Sequence, residues 1–386
     1  MGNSSLQIIA ENVSVIASPK TWIEGGAIQQ LQTTAKLPGM RRVVGMPDLH
    51  PGRGYPVGAA FFSIGRFYPA LIGGDIGCGM RLLKTDLSSA KLSLDKLIKR
   101  LGNIDAPLID QSDFWQERVR ACQLQDSGFE QSLGTIGGGN HFAELQQITQ
   151  VFDQQIFSKH GLDQKQVMLL VHSGSRGFGG QILHQHIEQF GHHGLSVVDA
   201  ASTQYWDYHQ QALHFAQCNR RLIAERICAN LATQGEMVLD IHHNFLSPAT
   251  IDGEAGFLHR KGATPADDGL VVIPGSRGDY SYVVEARKGE LSSHSLFSLA
   301  HGAGRKWMRS ECEPRLNQRY TAAQLSRTAL NSRVVCHDKG LIFEEAPEAY
   351  KPIDSVIDSL QEAGLIHLVA KLKPLISYKT SGGCCL

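Results

Sequence analysis

Residues 166–180 read QVMLLVHSGSRGFGG, an unbroken run of Val, Met and Leu that meets His172 and then a loop of Gly, Ser and Arg. A short apolar run bounded by glycine has the character of a buried strand. The same arrangement recurs: RRVVGM (41–46) before Pro47, ALIGG (70–74) before Asp75, EMVLDI (236–241) before His242, and LVVIPG (270–275) before Ser276. Loops that carry His, Asp, Cys, Ser and Arg therefore sit at strand ends, where a scaffold can hold them together.

Helical spacing separates these strands, most clearly in LSLDKLIKRL (92–101), in residues 205–232 and in residues 353–372. Residues 102–115 and 308–325 are polar and loop-like. No low-complexity linker and no fixed-period repeat divides the chain. Because the loops of interest run from residue 47 past residue 300, their convergence requires a single interwoven domain. The expected fold class is α+β, with central β-sheets flanked by helices across residues 1–380 and a flexible tail at 381–386.

Lys plus Arg and Asp plus Glu both number 37, so any surface for nucleic acid must be a local patch. The 8 cysteines show no repeated spacing and read as reduced thiols rather than a disulfide framework. The chain's start lacks a basic segment followed by an apolar one, and no apolar run reaches the roughly 18 residues of a membrane span. A cytoplasmic location with no membrane partner is the expectation.

The 40 glycines cluster beside chemistry-bearing residues: GGDIGCGM (73–80), GTIGGGNH (134–141), SGSRGFGG (173–180), PGSRG (274–278) and HGAGR (301–305). Asp75 and Cys78 lie three apart, a spacing that lets a carboxylate and a thiolate face one cation. His141, His172 and His243 supply imidazoles from separate loops. Singly each histidine reads as a hydrogen-bonded turn or core residue; together the five donors read as a metal site, with enough ligands for two ions sharing the sulfur. Ligand chemistry alone does not name the metal, since thiolate and imidazole also suit zinc. The histidine-rich run 184–193 lacks the spacing that puts His186 and His193 on one helix face, and Gly191 ends its helix, so it reads as a decoy.

HGAGRK places His301 beside small residues and then Arg305, so that phosphate can approach backbone N–H groups and a guanidinium. It is neither a Walker loop nor a dinucleotide fingerprint. Arg176 and Arg277, each in a GSRG loop, offer forks for phosphate. Asp48 and His50 in MPDLHPGRG support a neighbouring group, transfer a proton or pin their loop.

The ordered blocks MPDLHPG, GGDIGCGM, GNHFAE, HSGSRGFG, HHNF, HRKGAT, IPGSRG, HGAGR and EEAPEAYKPID, spread from about residue 40 to Lys379, resemble those of the RtcB RNA ligases. The resemblance implies an enzyme that joins RNA ends bearing a 2′,3′-cyclic phosphate or 3′-phosphate to 5′-hydroxyl ends, with GTP as cosubstrate and two Mn²⁺ ions, in RNA repair or tRNA splicing. It implies that Cys78 bridges the ions, with Asp75 and His141 on one and His172 and His243 on the other. His301 would take GMP, Arg176 would hold the RNA terminal phosphate, and Asn140, Glu144, Ser276, Ser281, Ala303, Tyr350 and Lys379 would form the guanylate pocket. Two other readings share the donors: a dinuclear metal phosphoesterase acting on RNA ends, and an RNA-repair accessory that does not seal. The chain departs from the family's pattern at Arg277, where Met is common, in SLFSLA before His301, and in the tail beyond Lys379.

Overall fold

The computed structural model describes residues 5–380, apart from Asp268, Glu290 and the side chain of Lys91. The tail 381–386, with Cys384 and Cys385, lies outside the described residues.

The strand Gln166–Ser173 is buried along nearly its whole length because it lies inside an eight-stranded sheet. Across that sheet run Gly235–His242, Gly79–Ser88, Gln166–Ser173, Phe142–Val151, Ile366–Thr380, Ser281–Ala286 and Leu270–Pro274. Arg333–Cys336 pairs in parallel with Ile366–Thr380. Segments from the first quarter, the middle and the end of the chain thus share one sheet, which makes the domain interwoven. A six-stranded sheet is formed, in order, by Leu6–Ala10, Val13–Ile16, Met40–His50, Val57–Ser63, Glu254–Lys261 and Asn244–Ile251.

Register gathers the site. Gly79 stands opposite both His242 and Ser173, and His172 stands opposite Phe142. Four adjacent strands therefore present one row of residues at a common end of the sheet, with neighbours about 4.8 Å apart. Cys78, His141 and His243 each lie one residue beyond a strand on that row. His243 is also where the chain leaves the larger sheet and enters the smaller one at Asn244. Ala263 donates its N–H to the His243 carbonyl at 3.1 Å and pairs with Ala300, which sets His301 beside His243.

The helix Ala200–Leu231 backs this row. Its Ile223, Ala224, Ile227 and Leu231 pack in one core with Leu83, Leu145, Leu169 and Val171. Truncating Ile223 to Ala there would cost about 2–5 kcal/mol. No helix among the described residues is long and apolar enough to cross a membrane.

Three local expectations are corrected. ALIGG is not a strand: Pro69–Ile72 is a helical turn, since Pro suits the first helical position and Gly73, at φ 83°, ends it. The helix begun at Ile353 stops at Glu362, and Gly364, at φ 68°, reverses the chain. Ile366–Thr380 is then a central strand, because sheet neighbours on both sides override its short-range helical spacing. Residues 308–325, expected as loop, contain the helices Arg309–Leu316 and Ala322–Leu325; Thr321 and Gln324 form a capping box at the second, and at the first Glu311 accepts from the Met308 N–H at 3.0 Å.

Candidate metal centre and nucleotide cleft

Two groups of donors share Cys78: Asp75, Cys78 and His141, and Cys78, His172 and His243, each set within 4.8 Å of one another. The Cys78 sulfur is 3.4 Å from Nε2 of His141 and 3.1 Å from Nε2 of His172, and the His172 and His243 Nε2 atoms are 3.3 Å apart. Asp75 Oδ2 is 2.8 Å from Nε2 of His141. Nitrogen and sulfur donors bound about 2.0–2.3 Å from one ion stand roughly 3.0–3.7 Å from each other. The spacing therefore fits ligation, with the Nε2 atoms of all three imidazoles facing the cluster.

The electrostatics fit as well. Burial, reinforced by neighbouring histidines, holds His172 and His243 well below the usual imidazole range, so both are neutral rings able to bind a cation. Burial and then the Asp75 carboxylate push the Cys78 thiol well above its usual value, a barrier that a cation at the sulfur removes. Burial raises Asp75, but the His141 ring and its hydrogen bond outweigh this and leave its carboxyl below the ordinary value. The Nδ1 atoms of His141, His172 and His243 have no hydrogen-bond partner among the described residues. Ring orientation comes instead from edge contacts, His172 standing edge-on to His141, Phe142 and His243.

Glycine is required where the loops meet. A Cβ on Gly174 would lie 2.0 Å from Asp75 Oδ1, so the SGSRG loop seats against the carboxylate only without a side chain. Behind the loops, two residues of the long helix tie their backbones. Arg220 donates to the carbonyls of Gly77 (2.7 Å) and Ser173 (3.0 Å) and pairs with Asp240 at 2.6 Å. Asn219 accepts from the Gly134 N–H and donates to Thr135, Ser173 and Gly174. Sequence reading passed over both; the signal was a fully polar pair in the midst of a helix face that is otherwise apolar.

His301 lies with its ring centroid 4.9 Å from that of His243. Its Nδ1 donates to Oδ2 of buried Asp48 at 2.6 Å, and its backbone N–H reaches the same oxygen at 3.2 Å. Lys351 holds the Asp48 segment by donating to the carbonyls of Pro47 and Leu49 at 3.0 and 2.8 Å. From here a cleft of about 900 Å³ opens, lined among others by His50, Asn140, Glu144, Ser276, Ala303, Tyr350 and Lys379.

Charge is organised around Glu345, which lines the cleft. It pairs with Arg305 at 3.1 Å, Arg309 at 3.5 Å and Lys379 at 3.6 Å, and accepts from the Tyr350 hydroxyl. Burial alone would raise its carboxyl; Lys379, Arg309 and Arg305 instead draw it down to about 2. Burial lowers Lys379 to about 8 against the opposing pull of Glu345. Three cations around one carboxylate leave a positive cleft that suits a polyphosphate.

With this geometry in hand, the family model described as "tRNA-splicing ligase RtcB" matches residues 30–113 and 109–380. The chain belongs to the RtcB family. It is 56% identical over 375 residues to "RNA-splicing ligase RtcB2" of Escherichia coli strain ATCC 25922, covering 97% of each chain. It is 29% identical to "tRNA-splicing ligase RtcB" of Archaeoglobus fulgidus over 92% of this chain and 91% of the relative. The same identity holds to "RNA-splicing ligase RtcB" of Mycobacterium tuberculosis over 90% and 99%.

Most residues expected from the RtcB resemblance line the metal centre or the cleft; some stand elsewhere. Ser281 stands behind the cleft wall, accepting at 2.8 Å from Gln146, which in turn donates to Glu144 at 2.6 Å. Ser377 also hydrogen-bonds Glu144. Arg176, at φ 57°, lies over Gly137, with Nε 3.3 Å from Thr135 Oγ1 and its charge near Asp75. Arg277 is buried in the cleft wall and donates to the carbonyls of Ile342 and Leu325 at 2.8 and 3.4 Å. It bonds backbone rather than projecting into solvent. His242 is not in the donor cluster: its Nδ1 is 2.8 Å from the Gly77 carbonyl. The decoy run behaves as expected, its helix ending at Phe190 with Gly191 at φ 61°, and buried His186 packing against Phe190 and Tyr205.

Proposed function

We propose that this RtcB-family chain seals RNA carrying a 2′,3′-cyclic phosphate or 3′-phosphate to RNA carrying a 5′-hydroxyl, through GMP held on His301. The observation that carries the reading is the Asp48–His301 pair beside the metal donors. An ionised carboxylate only accepts, so Nδ1 of His301 keeps its proton and Nε2 presents a lone pair. That nitrogen attacks the α-phosphorus of GTP; the N–P bond forms and pyrophosphate leaves. Water first opens a cyclic phosphate, breaking its P–O2′ bond to leave a 3′-phosphate; GMP then passes to the RNA 3′-phosphate, and the 5′-hydroxyl displaces it to close the RNA strand.

Asp75, Cys78 and His141 would hold one ion, and Cys78, His172 and His243 a second. Bound there, Mn²⁺ offsets negative charge on phosphoryl oxygens. The rest falls to the chain. Glu144 accepts from the guanine edge, Lys379 donates to its carbonyl, Tyr350 borders the base, and Asn140, Ser276 and Ala303 complete the pocket. Arg176 holds the terminal phosphate of the RNA. The described cysteines are free thiols, which suits work in the cytoplasm.

Incubation with radiolabelled GTP and Mn²⁺ is expected to tag the protein, and His301→Ala to abolish the tag. Release of phosphate from RNA ends with no need for GTP would favour a phosphoesterase instead.

A further inference from the structure

The mechanism above leaves one proton without an acceptor: the 5′-hydroxyl must lose it as it attacks. His50 lines the same cleft as His301, and both rings are oriented by one residue. Asp48 accepts a hydrogen bond from His301 Nδ1 on its carboxylate at 2.6 Å and one from His50 Nδ1 on its backbone carbonyl at 2.8 Å. A carbonyl oxygen can only accept, so His50 carries its proton on Nδ1 and leaves Nε2 as a lone pair. Asp48 itself is clamped: a Cβ on Gly304 would lie 2.2 Å from its carbonyl oxygen, and one on Gly58 2.8 Å from its Oδ1. The two tautomers are thereby set by a single rigid residue.

We propose that His50 is a second catalytic imidazole, the general base for sealing. This role rests on the ligase reading. The 5′-oxygen forms a bond to the RNA 3′-phosphorus, the P–O bond to GMP breaks with its electron pair leaving on GMP, and the hydroxyl proton passes to Nε2 of His50. The resulting imidazolium returns the proton to solvent at the cleft mouth.

The groups facing His50 are Asp48, His301 and Lys351, with Glu24 and Arg53 on the same cleft wall. Burial chiefly holds His50 down to about 4, with Asp48 opposing, so the ring is neutral at physiological pH. The anionic phosphates of bound RNA raise its basicity toward the range in which a base is effective.

The test is a single-turnover reaction of the full chain with GTP, Mn²⁺, labelled 3′-phosphate RNA and 5′-hydroxyl RNA, resolving guanylated protein, guanylated RNA and sealed product. His50→Asn keeps an N–H donor at the Nδ1 position for the Asp48 carbonyl but has no basic nitrogen. The expected result is accumulation of guanylated RNA, with sealing slowed about 10²–10⁴-fold. The acidic limb of the sealing-step pH profile should also disappear. Sealing at the wild-type rate, or slowed sealing that keeps the wild-type pH profile, overturns the proposal, because a packing role would leave the profile's shape intact. If the wild-type chain forms no guanylated protein at all, the ligase reading fails first and this step with it.

Discussion

Asp48 Oδ2 lies 2.6 Å from Nδ1 of His301, and the Asp48 side chain is fully buried. Its other oxygen has no hydrogen-bond partner among the described residues, so the carboxylate is committed to this one ring. Asp48→Asn keeps the shape but lets the amide donate to Nδ1, which moves the ring proton to Nε2. Guanylation of His301 should slow by about 10²–10⁴-fold while metal content stays normal. Rapid-quench measurement of the labelled protein checks this, and an unchanged rate would remove Asp48 from the mechanism.

Gly174→Ala tests the geometry of the shared-sulfur cluster. The three atoms nearest the new Cβ all belong to the Asp75 carboxylate, the first at 2.0 Å. Metal content after Mn²⁺ loading should fall from about two ions to about one per chain. Full loading measured by elemental analysis would mean that Asp75 has another way to reach its ion.

Arg220→Met removes the cation that joins the Cys78 loop to the His172 loop. Asp240 keeps its 2.7 Å pair with Arg81, so the expected loss is about 2–4 kcal/mol, below that of a wholly unpaired buried charge. Losing the tie between the Ser173 carbonyl and the Gly77 carbonyl, which keeps only its contact with His242, should also loosen the centre, lowering metal affinity roughly 10–100-fold. Urea unfolding and competition with a chelator measure the two separately, and destabilisation with unaltered metal affinity would count against the tie.

Glu144 makes the nucleotide-free protein sensitive to pH. Burial raises its carboxyl to about 7 from an ordinary 4.5, with Ser377, Gln146 and Lys379 opposing. Below the lower value both folded and unfolded chains hold the proton and no penalty exists. Between the two values the unfolded chain ionises while the buried group does not, so stability falls as pH rises, by on the order of 3 kcal/mol in total. Glu144→Gln should flatten this decline in unfolding titrations from about pH 4.5 to about pH 8. A slope identical to wild type would assign the titration to another group.

Much of the site was legible because its donors are chemically conspicuous. Asp75, Cys78, His141, His172 and His243 stand out as polar residues in glycine-rich loops beside apolar runs, and the ordered blocks point to RtcB ligases. What escaped reading acts through backbone contacts. Arg220 and Asn219 look like ordinary polar positions of a long helix until the carbonyls they bind are known. The strand Ile366–Thr380 has spacing compatible with a helix, and its state is decided by the neighbours Phe142–Val151 and Ser281–Ala286.

By itself the sequence determined the inventory: which side chains are available for metal, phosphate and proton, and which glycines permit close approach. Only the tertiary structure decided which of them meet. Strand register brings Cys78, His141, His172 and His243 to one row, and the crossing between sheets at His243 delivers His301 and Asp48 to it. Register and crossover are set by pairing between segments far apart along the chain, and no local spacing encodes that pairing.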